Sequence, residues 1–466
     1  MTPVHQLGAL QACHLPPRLL ATRPLRSVRS VRHGPVVIEM VDEEPAYYRL
    51  LADHLRAAHA SIAPQLTDDH VIELLVQAAR LWRDPAHPRR QLALSVLPAL
   101  TGYAPAMIEE GLDHRLAQLT PERLGRLAED AADRLADQGR WLQGPPVILL
   151  VVAGHIPGLV IDDLAAVLLA RSACVIRPSA RDPIIPACFV RTLAELDPRV
   201  GELLAVAWWP REAEAISAAV GGAVDGVAAS GDDATIADLA RQAARIIGYG
   251  HRRSVALIGA EALTDAGALA ARMARDVCWY EQLGCLSPHA VYVEEGGSTT
   301  ARAFAEQVAV ALGDETSHWP PSTIPIEAAS AILHLRAEVE FRHAGGAALF
   351  TPFGQADRLA GGAALYDPDP APRPSPGYRT LWVKPVARLE TALEALMPWR
   401  GRIESIGLAL SEKRLIELQP LIDRLTPSRQ TPIGTMQEPP LRWRLLDQGL
   451  LMQLAAWTET PSDARF

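Results

Sequence analysis

The sequence predicts an α/β protein whose strands form parallel sheets. From residue 145 onward, short apolar runs alternate with longer segments of helical periodicity, as in a chain that crosses back and forth over a sheet. The strand-like runs are apolar at nearly every position, which indicates burial on both faces and is typical of parallel sheets covered by helices. With 466 residues the chain is too long for one simple core, so we expect two or three lobes.

Helices are predicted before the first sheet. From Tyr47 to Gly139 apolar residues recur at helical spacing, most clearly in residues 71–82 and 121–136. The chain before them, from Met1 to about Gly34, is predicted to be a loosely ordered extension whose arginines form a solvated face. It lacks the apolar core and cleavage site of a signal peptide; a transit peptide is the alternative.

Strands and helices alternate in the first block. The predicted strands are residues 147–153, 173–176, 205–209, 226–229 and 254–258. The predicted helices are residues 161–170, 186–195, 212–220 and 232–246. Because parallel strands need such crossover helices, we expect one parallel sheet with helices on both faces.

A second alternating block starts near Asp265. It contains a helix, a turn at Cys285, a strand at 289–294 and a helix at 299–312, and a further strand at 379–386. Residues 367–377 are rich in proline and must form an irregular loop. Such a loop could rim a cleft or be a flexible surface excursion.

Composition excludes several classes of protein. Hydrophobic residues make up 49% and charged residues 21%, as in soluble globular proteins, and no apolar run approaches the length of a membrane span. The net charge of −9 gives no reason to expect nucleic acid or an anionic membrane as partner. The odd number of cysteines and the absence of CxxC spacing predict reduced thiols in the cytoplasm and no metal site. The five cysteines are Cys13, Cys174, Cys188, Cys278 and Cys285.

Cys285 is the first candidate for chemistry. A helix is predicted to break at Gly284, Cys285 follows at once, and Ser287-Pro288 turn the chain into an apolar strand. A thiol on such a turn can act as a nucleophile, and its own backbone N–H can stabilise the oxyanion that the attack creates. The alternative is a buried structural cysteine, which is the usual state of a lone cysteine.

Three turns follow predicted strands of the first block, at the edge where ligands of parallel sheets bind. His155 lies in the first turn. Arg177 and Ser179 lie in the second, just before a helix N-terminus, an arrangement that suits phosphate. Ser230 and Gly231 form the third, where small residues allow the close approach of a pyrophosphate.

Each of these turns is unspecific by itself. Asp232 or Asp233 could simply cap a helix, and no GxGxxG follows any of the strands, so the ordinary dinucleotide fingerprint is absent. A fourth turn, at residues 248–254, is glycine-rich and basic and leads into a buried strand.

Taken in order, the motifs resemble the aldehyde dehydrogenase superfamily, and more closely its LuxC-type acyl-CoA reductase branch. That branch has, in the same sequence, a Gly-Asn-x-Pro turn, a Lys-Pro-Ser turn, a Ser-Gly turn, a glycine-rich basic turn and the cysteine. The corresponding motifs are Gly154-His155-Ile156-Pro157, Arg177-Pro178-Ser179, Ser230-Gly231, Gly250-His251-Arg252-Arg253-Ser254 and Cys285-Leu286-Ser287-Pro288. The resemblance covers roughly residues 145–407.

The resemblance implies an aldehyde dehydrogenase-like α/β fold, with two parallel-sheet lobes and the active site in the cleft between them. It implies four parts of the chain: an N-terminal extension, a helical lead-in with a nucleotide-binding α/β domain, a catalytic α/β domain, and a C-terminal segment that returns to the nucleotide-binding domain. Their expected bounds are residues 1–45, 46–264, 265–405 and 406–466.

The resemblance also implies the roles of the site residues. Cys285 is the expected nucleophile, and His155 replaces the asparagine that shares the oxyanion hole in the family; a neutral imidazole can also donate one hydrogen bond. Arg177 replaces the family's lysine near the cofactor ribose, and its fork favours a 2′-phosphate and so NADPH over NADH. The residues expected to bind the cofactor are Arg177, Pro178, Ser179, Ser230 and Gly231, and no metal is expected.

One departure points to the reaction. Aldehyde-oxidising relatives carry a glutamate that activates water to hydrolyse the acyl-enzyme, and Tyr249 stands at that position here. There is no carboxylate from Arg245 to Ser254. An enzyme without that base leaves its acyl-thioester to a thiol or a hydride rather than to water.

The resemblance therefore implies an NADPH-dependent reductase that converts an acyl thioester, in the family a long-chain one, to the aldehyde. Cys285 attacks the thioester, CoA leaves, hydride reduces the acyl-enzyme, and the thiohemiacetal collapses to aldehyde and thiol. The alternatives are a CoA-acylating aldehyde dehydrogenase working toward acyl-CoA, or a non-reducing acyl-carrier or scaffold subunit. Expected partners are acyl-CoA or an acyl-carrier-protein thioester, an acyl-protein synthetase, and further copies of the chain in a cytoplasmic homo-oligomer.

Overall fold

The computed structural model describes residues 5–7, 12–33, 36–353, 359, 361–447 and 449–457. It divides into two compact units, which we name by their sheets. The five-strand unit comprises Met1–Thr101, Ile108–Gly250 and Pro440–Phe466, and the seven-strand unit comprises Gly102–Met107 and His251–Pro439. Parts of the predicted N-terminal extension and C-terminal segment (residues 1–4, 8–11, 34–35, 448 and 458–466) lie outside the described residues.

The main sheet of the five-strand unit is wholly parallel. Its strands are β4 (Val147–Val151), β5 (Ala173–Arg177), β6 (Leu204–Val206), β7 (Gly226–Ser230) and β8 (Ile246–Tyr249). They lie in the order β6-β5-β4-β7-β8. The order reverses between β4 and β7, and ligands of such sheets bind at that point, beyond the carboxyl ends of the strands. The turns of His155, Ser179 and Ser230 all lie at this edge.

Helices surround this sheet, as the apolar runs predict. Before it come α1 (Pro17–Thr22), α2 (Pro45–Ile62), α3 (Asp68–Arg83), α4 (Pro88–Thr101), α5 (Pro105–Leu116) and α6 (Pro121–Ala136). Between and after its strands come α7 (Val160–Leu169), α8 (Ile184–Leu196), α9 (Pro198–Leu203), α10 (Glu214–Gly221) and α11 (Asp233–Ala240). The chain returns to this unit with α17 (Leu450–Ala456).

The N-terminal segment is more ordered than predicted. Strand β2 (Val28–His33) pairs antiparallel with β3 (Val36–Val41), and β1 (His5–Leu7) pairs parallel with β3. The prediction of a loosely ordered extension is wrong for these residues, because alternate residues of β3 are buried and stabilise the strands. The five arginines of the segment are exposed, as predicted.

The seven-strand unit holds a mixed sheet that is parallel except at one edge. Its strands are β9 (Arg253–Ile258), β10 (Pro288–Glu294), β11 (Ala348–Phe350), β12 (Ala363–Tyr366), β13 (Thr380–Val386), β14 (Ile403–Ala409) and β15 (Arg429–Pro432). They lie in the order β11-β12-β13-β10-β9-β14-β15, and only β11 is antiparallel to its neighbour. Its helices are α12 (Ala266–Cys278), α13 (Ala301–His318), α14 (Ile326–Phe341), α15 (Leu389–Ala395) and α16 (Glu412–Leu425).

The core of this unit lies between the sheet and the helices α15 and α16. Val255, Leu257, Tyr292 and Trp382 project from the central strands into one fully buried cluster with Leu393. The apolar strands therefore fix the central part of the sheet, and the residues that precede β9, β10 and β13 meet at its amino-terminal edge.

Two predictions about the first block are corrected. The strand predicted at 254–258 lies inside the seven-strand sheet, between β10 and β14, and not in the first sheet. The helix predicted at 232–246 ends at Ala240, and Ile246–Tyr249 forms the edge strand β8. Local pattern identifies an apolar segment, but the partner strand is decided by contacts distant in sequence.

None of the helices in the described part of the chain is long and apolar enough to cross a membrane.

Candidate active site: a presented cysteine and strand-end turns

Cys285 lies on a tight turn at the amino-terminal end of β10. The backbone N–H of Ser287 donates to Gly284 O (3.1 Å) and closes the turn around it. Cys285 is exposed, whereas Cys13, Cys174, Cys188 and Cys278 are buried, and all five are free thiols. The preceding helix ends at Cys278, earlier than the predicted break at Gly284. The thiol is thus presented on a loop rather than packed in a core.

Two left-handed backbone segments lie beside this loop. Tyr280, Glu281 and Gln282 have φ of 52°, 56° and 59°, which non-glycine residues rarely adopt. Tyr378 and Arg379 have φ of 51° and 60°. The two segments are hydrogen-bonded, since Tyr378 N–H donates to Glu281 O (2.8 Å). Backbone in this region costs free energy and persists only where the surroundings hold it, often at functional sites.

A buried ion pair joins the two segments. Arg379 Nε and Nη2 donate to the two carboxylate oxygens of Glu281 at 3.1 and 2.5 Å, and the side chains are 1% and 2% exposed. Arg379 Nη2 also donates to Trp319 O (2.8 Å). Burial raises the pKa of the Glu281 carboxyl, an effect that Arg379 opposes. Arg379 is therefore the main group that keeps the carboxylate charged, and a backbone hydrogen bond from Ser322 contributes less.

The side chain of Gln282 makes four hydrogen bonds. Its Nε2 donates to Pro288 O (2.8 Å) and Thr380 O (2.9 Å). Its Oε1 accepts from Thr380 N–H (2.7 Å) and from Ser375 Oγ (3.4 Å). Gln282 thus joins the first residues of β10 and β13 just ahead of Cys285.

The Pro-rich loop (Asp367–Gly377) is anchored along its length beside these residues. Lys384 Nζ donates to Asp369 O (2.6 Å), Tyr292 Oη to Pro370 O (3.1 Å), and Trp382 Nε1 to Pro374 O (3.3 Å). Its last residue, Gly377, has φ of 82° and packs against the left-handed segment before Cys285. Of the two alternatives left open by the sequence, the structure favours a loop that belongs to the candidate site.

Hydrogen bonds also hold the far side of the turn. Ser254 Oγ donates to Cys285 O (2.7 Å) and accepts from Ser405 N–H (3.1 Å). Gln437 Nε2 donates to Ser287 Oγ (2.7 Å). The carbonyl of Cys285 and the residue two positions after it are therefore tied to β9, β14 and the segment after β15.

Two titratable groups near the turn have shifted pKa values. Burial lowers the pKa of His289 to about 4, and Ser375 N–H donates to its Nδ1 (2.8 Å), so this imidazole is neutral with its proton on Nε2. Burial raises the pKa of Asp276 to about 7, although Gly434 and Met436 N–H groups donate to its carboxylate. Both shifts arise from desolvation, which disfavours the charged form.

In the five-strand unit, the first two predicted turns are in contact. His155 is exposed after β4, and the neighbouring Gly154 lies so close to Ser179 that a Cβ on Gly154 would collide with the serine side chain. Asp182 accepts from Gly158 N–H (2.9 Å) and Ile185 N–H (3.1 Å), which ties the first turn to the start of α8. Burial raises the pKa of Asp182 to about 6.

Arg177 is the last residue of β5, and its guanidinium packs on the side chain of Trp209. Its Nε and Nη2 donate to Trp209 O at 3.2 and 3.1 Å, and the guanidinium carbon lies 5.3 Å from the indole centroid. Burial lowers the pKa of Arg177, and Arg211 lowers it further. Within the described residues Nη1 has no hydrogen-bond acceptor, so it is the nitrogen left for a ligand.

The third turn connects β7 to α11. Gly231 N–H donates to Tyr249 O (3.2 Å), and Asp232 caps α11 by accepting from Thr235 N–H (2.6 Å). Asp232 is thus the helix cap that the sequence allowed. Tyr249, predicted to replace the water-activating glutamate, is the last residue of β8.

The predicted residues fall into two groups, one in each unit. The five-strand unit holds His155, Arg177, Pro178, Ser179, Ser230 and Gly231, all at one sheet edge, and the seven-strand unit holds Cys285. No cluster of three or more metal-ligating side chains occurs in the described residues. Sequence reasoning named Ser254 only as the end of the fourth turn, without a role. It missed Asp182 and Gln282, although an aspartate before Pro183 at a helix start is a recognisable capping signal.

Comparison with known proteins identifies the family of the chain. The family model described as acyl-CoA reductase (LuxC) matches residues 63–440. The chain belongs to the LuxC acyl-CoA reductase family. The resemblance predicted from the five ordered motifs is thereby confirmed.

Relatives within this family are distant. The chain is 23% identical over 250 residues to long-chain acyl-protein thioester reductase 2 of Photobacterium leiognathi, covering 50% of this chain and 52% of the relative. It is 22% identical over 240 residues to the long-chain acyl-protein thioester reductase of Aliivibrio fischeri, covering 48% and 50%. The match thus spans about half the length of these relatives.

Solved structures show the fold. Aldehyde dehydrogenase 21 from Physcomitrella patens superposes with a TM-score of 0.68 at 12% identity, covering 93% of this chain and 90% of that one. NADP-dependent glyceraldehyde-3-phosphate dehydrogenase from Bacillus halodurans, solved with NADP, superposes with a TM-score of 0.65 at 14% identity, covering 85% and 86%. The LuxC-family chain therefore has the predicted aldehyde dehydrogenase-like α/β fold with parallel sheets.

Proposed function

We propose that the protein reduces an acyl thioester to the aldehyde with NADPH, through an acyl-enzyme on Cys285. The observation that carries the proposal is the presentation of Cys285. It is an exposed thiol on a hydrogen-bonded turn, and the other four cysteines are buried. A nucleophile needs an accessible sulfur held in one geometry.

In this proposal Cys285 attacks the thioester carbonyl carbon and the donor thiol leaves. The oxyanion is held by the backbone N–H of Cys285 and the side chain of His155, which donates one hydrogen bond as a neutral imidazole. The turn supports the first of these donors, because the Ser254 bond to Cys285 O and the Ser287 bond to Gly284 O restrict the peptides on both sides of the sulfur. Collapse of the reduced thiohemiacetal returns the thiol and releases the aldehyde.

The five-strand unit has features that fit a dinucleotide. The order of its strands reverses between β4 and β7, and Gly154 packs so closely on Ser179 that the first two turns lie together at this edge. Small residues at Ser230 and Gly231 and the unoccupied Nη1 of Arg177 suit phosphate groups. NADPH, when bound, supplies the hydride, and these residues would hold it.

The acyl donor is proposed from the relatives. Two of them are named as long-chain acyl-protein thioester reductases, and the family model is described as acyl-CoA reductase. We therefore propose a long-chain acyl thioester, carried by CoA or by a protein, as substrate. Five free thiols favour a reducing compartment, and the cytoplasm is the one we propose.

The test begins with acylation. Enzyme incubated with acyl-CoAs of graded length, or with an acyl-carrier protein, and without NADPH should gain one acyl group on Cys285 by peptide mass spectrometry. Cys285→Ala should lose the adduct and all turnover, measured as NADPH consumption. The matched control Cys278→Ala, which removes a buried thiol in the same segment, should keep both. An acyl group on any other cysteine would refute the assignment.

A second measurement separates the reductase from a scaffold subunit. A reductase binds NADPH, so the nucleotide should quench tryptophan fluorescence, and Trp209 beside Arg177 is a suitable reporter. A protein that is acylated but shows neither quenching nor NADPH consumption would be an acyl carrier instead. Running the reaction from aldehyde, CoA and NADP would show whether the acylating direction is faster.

A further inference from the structure

We infer that Gln282 is a positioning residue for Cys285, acting through the loop that carries the nucleophile. The inference rests on the proposed role of Cys285 and adds to it a residue that holds the sulfur and its oxyanion-binding N–H in place. Its basis is the four hydrogen bonds of the Gln282 side chain.

Gln282 closes the base of the nucleophile loop (Leu283–Ser287). The residue before the loop donates through its side chain to the carbonyl of Pro288, the residue after the loop (2.8 Å). The loop is therefore a ring with Cys285 at its middle. Opening this contact would separate the two ends of the loop, while the bonds from Ser254 and Gln437 would still hold its far side.

The same amide attaches the loop to the sheet. Thr380 N–H donates to Gln282 Oε1, and Gln282 Nε2 donates to Thr380 O, so the side chain pairs with one residue as a strand would. The ladder between β10 and β13 begins just beyond, at Ala290 and Trp382. Gln282 thus occupies the ladder position ahead of the first strand pair and fixes the loop to a buried part of the fold.

The Gln282 side chain has no capacity left for a substrate. Both donors of the amide are used, and Oε1 accepts from Thr380 N–H. Ser375 Oγ lies 3.4 Å from the remaining acceptor site, although its one proton is shared with Thr380 O (2.5 Å). Gln282 as a whole is only 3% exposed to solvent. Any effect on the reaction must therefore come from position rather than from contact with the reacting atoms.

The backbone of Gln282 explains why the amide is needed. Its φ of 59° is the last of three left-handed values, which cost free energy in a non-glycine residue. The hydrogen bonds of the side chain offset that cost. Without them the segment would relax, and the Cys285 N–H and Sγ would leave the geometry that acyl transfer requires.

The experiment compares Gln282→Met with Gln282→Glu and with Gln77→Met. Methionine preserves length and removes all four bonds; glutamate preserves the acceptor and loses the two donated bonds. Gln77 is an exposed glutamine on α3, so its variant is the matched control. Circular dichroism reports folding, acyl-enzyme yield counts competent sites, and steady-state kinetics with acyl-CoA and NADPH give kcat and KM.

We expect kcat per competent site of Gln282→Met to fall roughly 10- to 100-fold, as for an ångström-scale misplacement of a nucleophile, with KM nearly unchanged. The kcat per competent site of Gln282→Glu should lie between the values of this variant and the wild type. That of Gln77→Met should match the wild type. In Gln282→Met, the rate at which iodoacetamide alkylates Cys285, and the pH dependence of that rate, should differ from those of the wild type. A purely structural role would lower the number of competent sites and leave kcat per site and the alkylation profile unchanged, which would overturn the inference.

A measurement on the wild-type enzyme covers the case in which the variants do not fold. The Thr380 amide should exchange slowly with deuterium in the wild type, because Gln282 Oε1 accepts from it at 2.7 Å, closer than the second acceptor Gly377 O at 3.3 Å. Exchange at the rate of an open loop would overturn the inference. If wild-type Cys285 takes no acyl group, the proposed function fails, while the alkylation rates still decide whether Gln282 positions the loop.

Discussion

Arg379→Met should destabilise the protein strongly, because it removes the partner of a fully buried carboxylate. Arg379 and Glu281 are 1% and 2% exposed and joined by two hydrogen bonds. Methionine approximates the volume of the arginine stem without its charge. The variant leaves Glu281 without its guanidinium and removes the hydrogen bond from Arg379 to Trp319 O.

The magnitude follows from the burial of the pair. Removing one partner of a buried ion pair costs about 3–5 kcal/mol, since the remaining charge is uncompensated. For a unit of about 200 residues, 1 kcal/mol corresponds to a melting shift of about 2–4 °C, so the expected fall is about 6–20 °C. The same substitution at Arg241, whose side chain is 70% exposed in its pair with Asp238, should change the melting temperature very little.

The loss of stability in Arg379→Met should depend on pH, and the direction of that dependence can be stated. Burial raises the pKa of Glu281 above the value of about 4.5 that it has when unfolded, and removing Arg379 raises it further. A carboxyl with a raised folded pKa binds its proton more tightly in the folded state, so stability is greatest below the unfolded pKa and falls as pH rises through the folded pKa. The difference in melting temperature between Arg379→Met and Arg241→Met should therefore shrink as pH falls from neutral toward the unfolded value.

The assay is differential scanning fluorimetry of both variants over that pH range. Equal melting temperatures for Arg379→Met and Arg241→Met would refute the view that the pair holds the left-handed segments. If the melting temperature of Arg379→Met fell further below that of Arg241→Met on acidification, the assigned charge state of Glu281 would be refuted.

Two further predictions concern the nucleotide and the acyl-enzyme. Arg177→Ala should weaken NADPH about 10- to 150-fold, equivalent to roughly 1.5–3 kcal/mol for a charged phosphate contact, and NADH far less; equal loss of both nucleotides in a binding titration would mean that Arg177 does not contact the 2′-phosphate. With p-nitrophenyl acetate we expect a burst of p-nitrophenol and little steady-state release, because Tyr249 is predicted to stand in place of a carboxylate base and a phenol has an ordinary pKa of about 10. Added CoA or NADPH should restart turnover, and rapid hydrolysis without either would indicate another base.

Several features were determined by the sequence alone, because they depend on local pattern. The alternation of apolar strands and helices predicted the α/β class, and five short motifs in order predicted the family that the comparisons confirm. The turns of His155, Ser179 and Ser230 lie at the carboxyl edge of the first sheet, as their positions after strands required. Local spacing also placed Cys285 at the start of a strand.

Other features were decided only by the tertiary structure, because they depend on residues far apart in the chain. The strand Arg253–Ile258 has the same apolar pattern as the strands before it, yet it pairs with β10 and β14 in the second sheet. The partners of Glu281 and Gln282 lie 98 residues away, at Arg379 and Thr380. Left-handed backbone at three non-glycine residues has no signature in their side chains, since it is imposed by these distant contacts rather than by local preference.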